Sequence, residues 1–255
     1  MPDFATLLDA HIAAQSGCYV SGVDFLPDGG RFLWSERLGE PSLNLGVGTE
    51  DVAAVRAAAT ARGRLPALLA ADEAGARRLS AQPGFAAAFP TAWMVAPAGG
   101  DPPGDIGLTV EVSDSPRPSP GFCAVARGLY DDPQLAAAAE IYVSVLDGAT
   151  GSGASPAHLV LRDGERQPVA AASLYRIGAL AGLYNVGTLA THRGRGLGQA
   201  ITRAALALAA EGGARSVFLQ CAPGPVEHFY ARLGFVTTTR PVLACFGPGD
   251  GASGA

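Results

Sequence analysis

Residues 187–213, GTLATHRGRGLGQAITRAALALAAEGG, place the tightest constraint on what this chain can fold into. The run RGRGLG sets three glycines at alternate positions and leads directly into an alanine- and leucine-rich stretch, which predicts a helix from about Leu197 to Glu211. Glycine loses more backbone freedom on folding than any other residue. A tight turn needs one or two glycines, so three in alternation predict that a bulky group approaches the backbone closely.

Known phosphate loops can be tested against this segment. All 18 basic residues are arginine, and without lysine there is no P-loop, no Schiff base and no PLP anchor. Gly194, Gly196 and Gly198 give GxGxG, and Gln199 follows, so the dinucleotide fingerprint GxGxxG fails as well. What remains is a strand, a glycine-rich turn and the start of a long apolar helix. The amides of Arg193, Gly194, Arg195, Gly196, Leu197, Gly198 and Gln199 would point outward at the positive end of the helix dipole. A pyrophosphate suits that place, and Arg193 and Arg195 would add charge-assisted contacts.

The rest of the composition excludes more than it assigns. An acidic chain, with net charge −5 and no basic run, is a poor nucleic-acid surface. Cys18, Cys123, Cys221 and Cys245 lie far apart without CxxC spacing, so neither a metal site nor a disulfide framework is expected. The N-terminus lacks a basic leader region and no apolar run reaches membrane-spanning length, which predicts a cytoplasmic protein with no membrane partner.

A break rich in Pro, Gly and Asp, APAGGDPPGD (96–105), divides the 255 residues unequally. The boundaries read as a first part over 1–98, a linker over 99–105, a second part over 106–246 and a frayed tail over 247–255. Both parts end in an apolar strand, a loop, a short helix leading to Gly-Phe and a final apolar strand. Aligning Phe85 with Phe235 brings Trp93 onto Leu243. Any strand–helix–strand unit has this outline; the alternative is a diverged internal duplication. In the second part, strand signals at 106–113 and around an Asp163-Gly164 hairpin precede the strand GLYNVGTLA. The glycine loop follows, then a helix, the strand RSVFLQCA, the helix PVEHFYARLG and the strand VLACF. This order indicates an α/β or α+β domain with helices packed on a sheet.

RGRGLG, preceded by YNVGTL and followed by a helix, resembles the (Q/R)-x-x-G-x-(G/A) signature of the GNAT acetyltransferase superfamily. VFLQCA and FYARLGF, with its Tyr-x-x-x-Gly-Phe spacing, continue the resemblance, which covers most of residues 106–246. It implies a GNAT-like mixed sheet flanked by helices, in two tandem units of which the second is complete. It further implies that Arg193 to Gly198 bind the pyrophosphate of acetyl-CoA, and that backbone atoms of Val186 and Thr188 pair with the pantetheine arm and acyl group. One of those amides would polarise the thioester carbonyl. Tyr230 matches the tyrosine that often protonates the departing thiolate, though a tyrosine packed beside the co-substrate would look the same. Two positions depart from the family pattern: Pro223 stands where an asparagine is frequent, and Ala190 where a proline is common.

The family does not fix a general base. Tyr184, Asn185, His192, Cys221, Glu227 and His228 lie near enough in sequence, and Glu227 and His228 read equally as surface residues of a short helix. The first part has only Gly46 and Gly48 between its strand and helix, so it is expected to be non-catalytic; Trp34 and Trp93 are pocket or core candidates there. The expected activity is transfer of an acyl group from acetyl-CoA to an amine of a small molecule by direct attack. A non-catalytic acyl-CoA-binding module and an acyltransferase with another donor, such as aminoacyl-tRNA, are the alternatives. A homodimer is compatible with the sequence, although a tandem chain can take a dimer's place.

Overall fold

The computed structural model describes residues 1–100, 108–130, 132–150 and 153–247. Most of the 99–105 linker and residues 248–255 of the tail lie outside this described part. In chain order the regular elements are α1 (Phe4–Gln15), β1 (Gly22–Phe25), β2 (Arg31–Trp34), β3 (Leu45–Val47), α2 (Val52–Ala61), β4 (Ala67–Ala70), α3 (Glu73–Ser80), β5 (Phe85–Pro90) and β6 (Ala92–Pro97). There follow β7 (Thr109–Ser113), α4 (Pro120–Arg127), α5 (Pro133–Asp147), β8 (Ser155–Arg162), β9 (Pro168–Ile177) and β10 (Leu180–Thr188). The last elements are α6 (Leu197–Glu211), β11 (Ser216–Cys221), α7 (Pro225–Ala231), β12 (Val236–Thr239) and β13 (Val242–Phe246).

Most helices start where the sequence supplies a cap. Asp3, Asp51, Asp72, Ser119 and Asp132 each accept a bond from a backbone amide of the first turn, satisfying donors that the helix leaves open. Pro120 and Pro133 open α4 and α5, where a missing N–H costs nothing. The hairpin expected at Asp163-Gly164 forms between β8 and β9, closed by Asp163 N–H to the Gln167 carbonyl at 3.0 Å.

Two mixed sheets result, in the orders β1-β2-β3-β4-β13-β5 and β12-β6-β11-β10-β9-β8-β7. The described chain divides into two compact units, and they do not follow the linear split at 99–105. One unit comprises residues 1–18, 95–219 and 229–236; the other comprises 19–94, 220–228 and, of the described residues, 237–247. β13 stands between β4 and β5, and β6 between β12 and β11. The sequence reason is apolarity. Five of six β6 residues are buried, and Val242, Ala244 and Phe246 of β13 are buried, so each strand belongs inside a sheet and not at its edge. Trp93 and Leu243, aligned in the sequence, thus sit on the two strands with matching places in the two sheets.

Each unit has its own core. Phe32, Val55, Leu68, Leu79, Val242 and Phe246 form one beneath α2 and α3. In the other, α6 buries Leu197, Ile201, Ala205 and Ala209, a face at helical spacing, while β8 and β9 bury Leu159, Leu161, Val169 and Leu174. Truncating Ile201 to Ala would cost roughly 2–5 kcal/mol.

Candidate active site

β10 carries the site. It pairs antiparallel with β9 along its length, whereas its parallel pairing with β11 covers Leu180–Gly182 only. The β9 register slips between Tyr184 and Gly187: Tyr184 faces Ser173 and Gly187 faces Ala171, so Asn185 and Val186 together oppose Ala172. This is a β-bulge, a device that redirects backbone groups at a strand's working end. Asn185 supplies it with a left-handed backbone, φ 54°. Gly187 lies under the Leu129 side chain, whose Cδ2 would be 2.4 Å from a Cβ there.

Beyond β10 the chain makes a single short turn at Ala190–His192 and enters the glycine loop. Gly194 (φ 76°) and Gly196 (φ 78°) both adopt left-handed conformations, and a Cβ added at either would meet nothing within 4 Å beyond its chain neighbours. Their requirement is conformational. Gly198, inside α6, has an ordinary backbone; its absent Cβ would face Phe229 at 3.4 Å and the Thr188 hydroxyl at 3.7 Å. Turn geometry accounts for Gly194 and Gly196, whereas at Gly198 a Cβ would make ordinary contacts with Phe229 and Thr188.

Gly196 is the N-cap of α6 and no side chain caps this helix; its first internal bond runs from Ala200 N–H to Gly196 O at 3.0 Å. The amides of Leu197, Gly198 and Gln199 precede that bond and lie at the positive end of the dipole. A cavity of about 340 Å³ opens over them, lined by Thr188, His192, Arg193, Gly194, Gly196, Leu197, Gly198, Gln199 and Phe229. Such an arrangement binds anions through backbone N–H groups.

Of the residues expected from the sequence, Val186, Arg195 and Tyr230 do not line this cavity. Val186 is half-buried in the bulge. Arg195 is exposed and donates to the Thr191 carbonyl at 3.3 Å. Arg193 lines the cavity, yet its guanidinium turns to the carbonyls of Leu129 and, at 3.4 Å, Thr188. Tyr230 is buried on α7 between Phe229 (rings 5.0 Å apart) and Phe235 (5.6 Å); its neighbour Phe229 is the one that reaches the cavity.

The base candidates separate. Glu227 is engaged by the Thr237 hydroxyl (2.5 Å) and by Arg240 (2.6 Å), contacts that hold its carboxyl below the usual carboxylate range. Burial pushes the Cys221 thiol up to about 11. His192 stands on the cavity wall with Nδ1 2.9 Å from the Thr191 hydroxyl. Burial raises the Tyr184 phenol far above its ordinary value, and its oxygen lies 3.0 Å from His11 Nδ1. His11 itself is pushed down to about 4 by burial.

Three polar residues near the bulge are not singled out by the sequence: His11 on α1, His158 on β8 and Ser173 on β9. His158 Nδ1 lies 2.9 Å from Ser173 Oγ, and Asn185 Nδ2 donates to the same oxygen at 3.2 Å. The available signal was a lone histidine inside the apolar runs LDAHIAA and SPAHLVL. Among the described residues no cluster of His, Cys, Asp and Glu could hold a metal ion, and no helix is long and apolar enough to cross a membrane.

Comparison with known proteins agrees with this geometry. The model of the acetyltransferase (GNAT) family matches residues 122–235, from α4 through Phe235. A search of curated proteins found no match. Among solved structures, a GCN5-related N-acetyltransferase from Kribbella flavida is similar over 96% of both chains at 21% identity and a TM-score of 0.70. A conserved protein of unknown function from Staphylococcus epidermidis is similar over 90% of this chain and 94% of its own, at 12% identity and a TM-score of 0.63. A tandem GNAT protein from the clavulanic acid biosynthesis pathway, solved without AcCoA, is similar over 87% of this chain and 80% of its own, at 16% identity and a TM-score of 0.60. The last has the tandem arrangement expected from the sequence. Residues 122–235 thus match the acetyltransferase (GNAT) family, in a chain with the mixed-sheet fold of GCN5-related N-acetyltransferases.

Proposed function

We propose that this protein transfers an acetyl group from acetyl-CoA to an amine of a small molecule by direct attack. The observation that carries the reading is the uncapped start of α6 facing a cavity, with the bulged end of β10 leading into it. Acetyl-CoA fits the residues present: open amides for its pyrophosphate, left-handed glycines in the turn, and a strand whose pairing with β11 ends at Gly182. Leu197, Gly198 and Gln199 would hold the pyrophosphate, with Arg193 and Arg195 released from their carbonyls to join them. Val186 and Thr188 would pair with the pantetheine arm.

When bound, acetyl-CoA supplies the thioester carbonyl. The amine nitrogen forms a bond to that carbon and passes one proton to water, which returns it to the Tyr230 phenol, and the C–S bond breaks with its electron pair leaving on sulfur. The Val186 amide is suited to polarise the carbonyl oxygen. Tyr230, one residue from the cavity-lining Phe229, is the proposed proton donor to the thiolate. The cytoplasm is the compartment we propose for this chemistry.

Calorimetry with acetyl-CoA tests the donor. Native protein is expected to bind, and Gly196→Trp, which crowds the open amides, is expected to abolish binding. A screen of small amines for thiol release then tests turnover, with Tyr230→Phe expected to lower kcat ~10–100-fold at unchanged KM. Tight binding without turnover on any amine would favour the non-catalytic acyl-CoA module. No binding at all would point to another donor.

A further inference from the structure

The row of residues beside the bulge forms a one-way chain of hydrogen bonds. His158 is 1% exposed and Ser173 is fully buried, and the two face each other across β8 and β9. His158 Nε2 lies 3.2 Å from the Pro116 carbonyl, which can only accept, so Nε2 carries the proton. Burial lowers the imidazole pKa and keeps the ring neutral, which leaves Nδ1 bare. Nδ1 then accepts from the Ser173 hydroxyl, and the Ser173 oxygen is free to accept from the Asn185 amide. Phe122 and Tyr175 stand edge-on to the imidazole at 5.2 and 6.0 Å, so the ring has no room to turn.

Asn185 is exposed, yet this chain ties it from beneath while its backbone holds φ 54°. A left-handed conformation strains an ordinary L-residue; asparagine tolerates it better than most. The conformation is what places Asn185 and Val186 together opposite Ala172.

We propose that His158 and Ser173 are positioning residues for acyl transfer: they hold Asn185 in its left-handed conformation and so set the direction in which the bulge aims the Val186 amide. This rests on the reading above, in which that amide meets the thioester carbonyl. The network acts on carbonyl polarisation and leaves the pyrophosphate grip of α6 alone. None of its members exchanges a proton with the substrate.

The test uses acetyl-CoA labelled with 13C at the carbonyl. On the native protein the bound resonance is expected downfield of free acetyl-CoA. Ser173→Ala should remove more than half of that displacement while changing acetyl-CoA affinity less than threefold. Asn185→Ala, at an exposed position that spares the core, should reproduce the effect if loss of the buried hydroxyl impairs folding. Glycine adopts the left-handed conformation unaided, so adding Ser173→Ala to Asn185→Gly should produce no further change. A full displacement in Ser173→Ala, or an equal loss in the Asn185→Gly background, overturns the proposal. If native protein does not bind acetyl-CoA, the functional reading fails and the catalytic half of this proposal with it. The Asn185 Cα resonance of the ligand-free protein then judges the positioning half, which falls if Ser173→Ala leaves that resonance in place.

Discussion

The chain builds the same strand–turn–helix outline twice, at β3–α2 and at β10–α6, and closes one of them. After β3, Gly48 turns with φ 66°, and the Asp51 carboxylate accepts from Ala54 N–H at 2.9 Å. Two more carboxylates flank that helix start: Asp28, bonded to the Thr49 hydroxyl, and Glu50, bonded to Arg78 Nε at 2.8 Å. A Cβ on Gly46 would lie 2.4 Å from Val55 Cγ2, so helix and strand are packed tight. After β10 no side chain caps the helix, and the space beside Gly198 opens toward Thr188 and Phe229. A helix start filled by its own carboxylate repels an anion; one left open attracts it. The cap and the packing around it separate the two helix starts.

The sharpest way to break that comparison is to close the open helix. Gly196→Asp brings a carboxylate to the amides of α6 and is expected to weaken acetyl-CoA binding at least ~100-fold, about 3 kcal/mol. Gly196→Ala separates the backbone part, since an L-residue in the left-handed region costs roughly 1–2 kcal/mol by itself. Calorimetry on the two variants reads the difference. Native-like affinity in the aspartate variant would show that the capping state of α6 does not govern the site.

Much of this contrast was legible in the residues. RGRGLG followed by an apolar helix announced the open site, and Asp51 ahead of VAAVRAAATA is an ordinary capping signal. The placement of β6 and β13 was not legible, because an apolar strand states that it belongs inside a sheet but not inside which one. The Asn185–Ser173–His158 chain was hidden for a related reason. Its members are 12 and 15 residues apart and meet only through strand register. The directions of Arg193 and Arg195 were likewise beyond reach: charge near a glycine loop reads as a phosphate contact, while the guanidiniums lie on nearby carbonyls.

Acid sharpens the comparison next. His11 and His158 belong to the unit that carries α6, and burial lowers both. Above the ordinary histidine value of about 6.5 both states of the protein are neutral at these rings. As pH falls below it, the unfolded chain binds protons that the folded chain refuses, so stability drops until the folded values are reached, near 4 for His11. The loss is expected to approach about 1 kcal/mol per pH unit for His11. Melting curves between pH 7.5 and 4.5 should show it. His11→Asn, which keeps a hydrogen-bonding side chain beside Tyr184 but does not titrate, should flatten the slope; an unchanged slope would exclude His11 as its source.

Arg193→Ala tests the charge that the open site recruits. Losing one charge-assisted contact to phosphate is expected to weaken acetyl-CoA binding about tenfold and to reduce its dependence on salt. At the closed start Arg78 is paired with Glu50. Calorimetry at low and high salt reads both quantities, and an affinity and salt slope equal to native would remove Arg193 from the site.

The smallest effect is expected where the site is already closed. Asp51→Ala deletes the carboxylate that caps α2, and loss of an N-cap costs about 1 kcal/mol. The melting temperature should fall by a few degrees, with acetyl-CoA binding unchanged. Uncapping alone does not convert α2 into a second anion site. Asp28 and Glu50 still stand beside it, and Val55 still fills the space at Gly46. If Asp51→Ala instead gave a second acetyl-CoA equivalent per chain, the cap would be the whole difference between the halves, and the packing at Gly46 and the two remaining carboxylates would count for nothing.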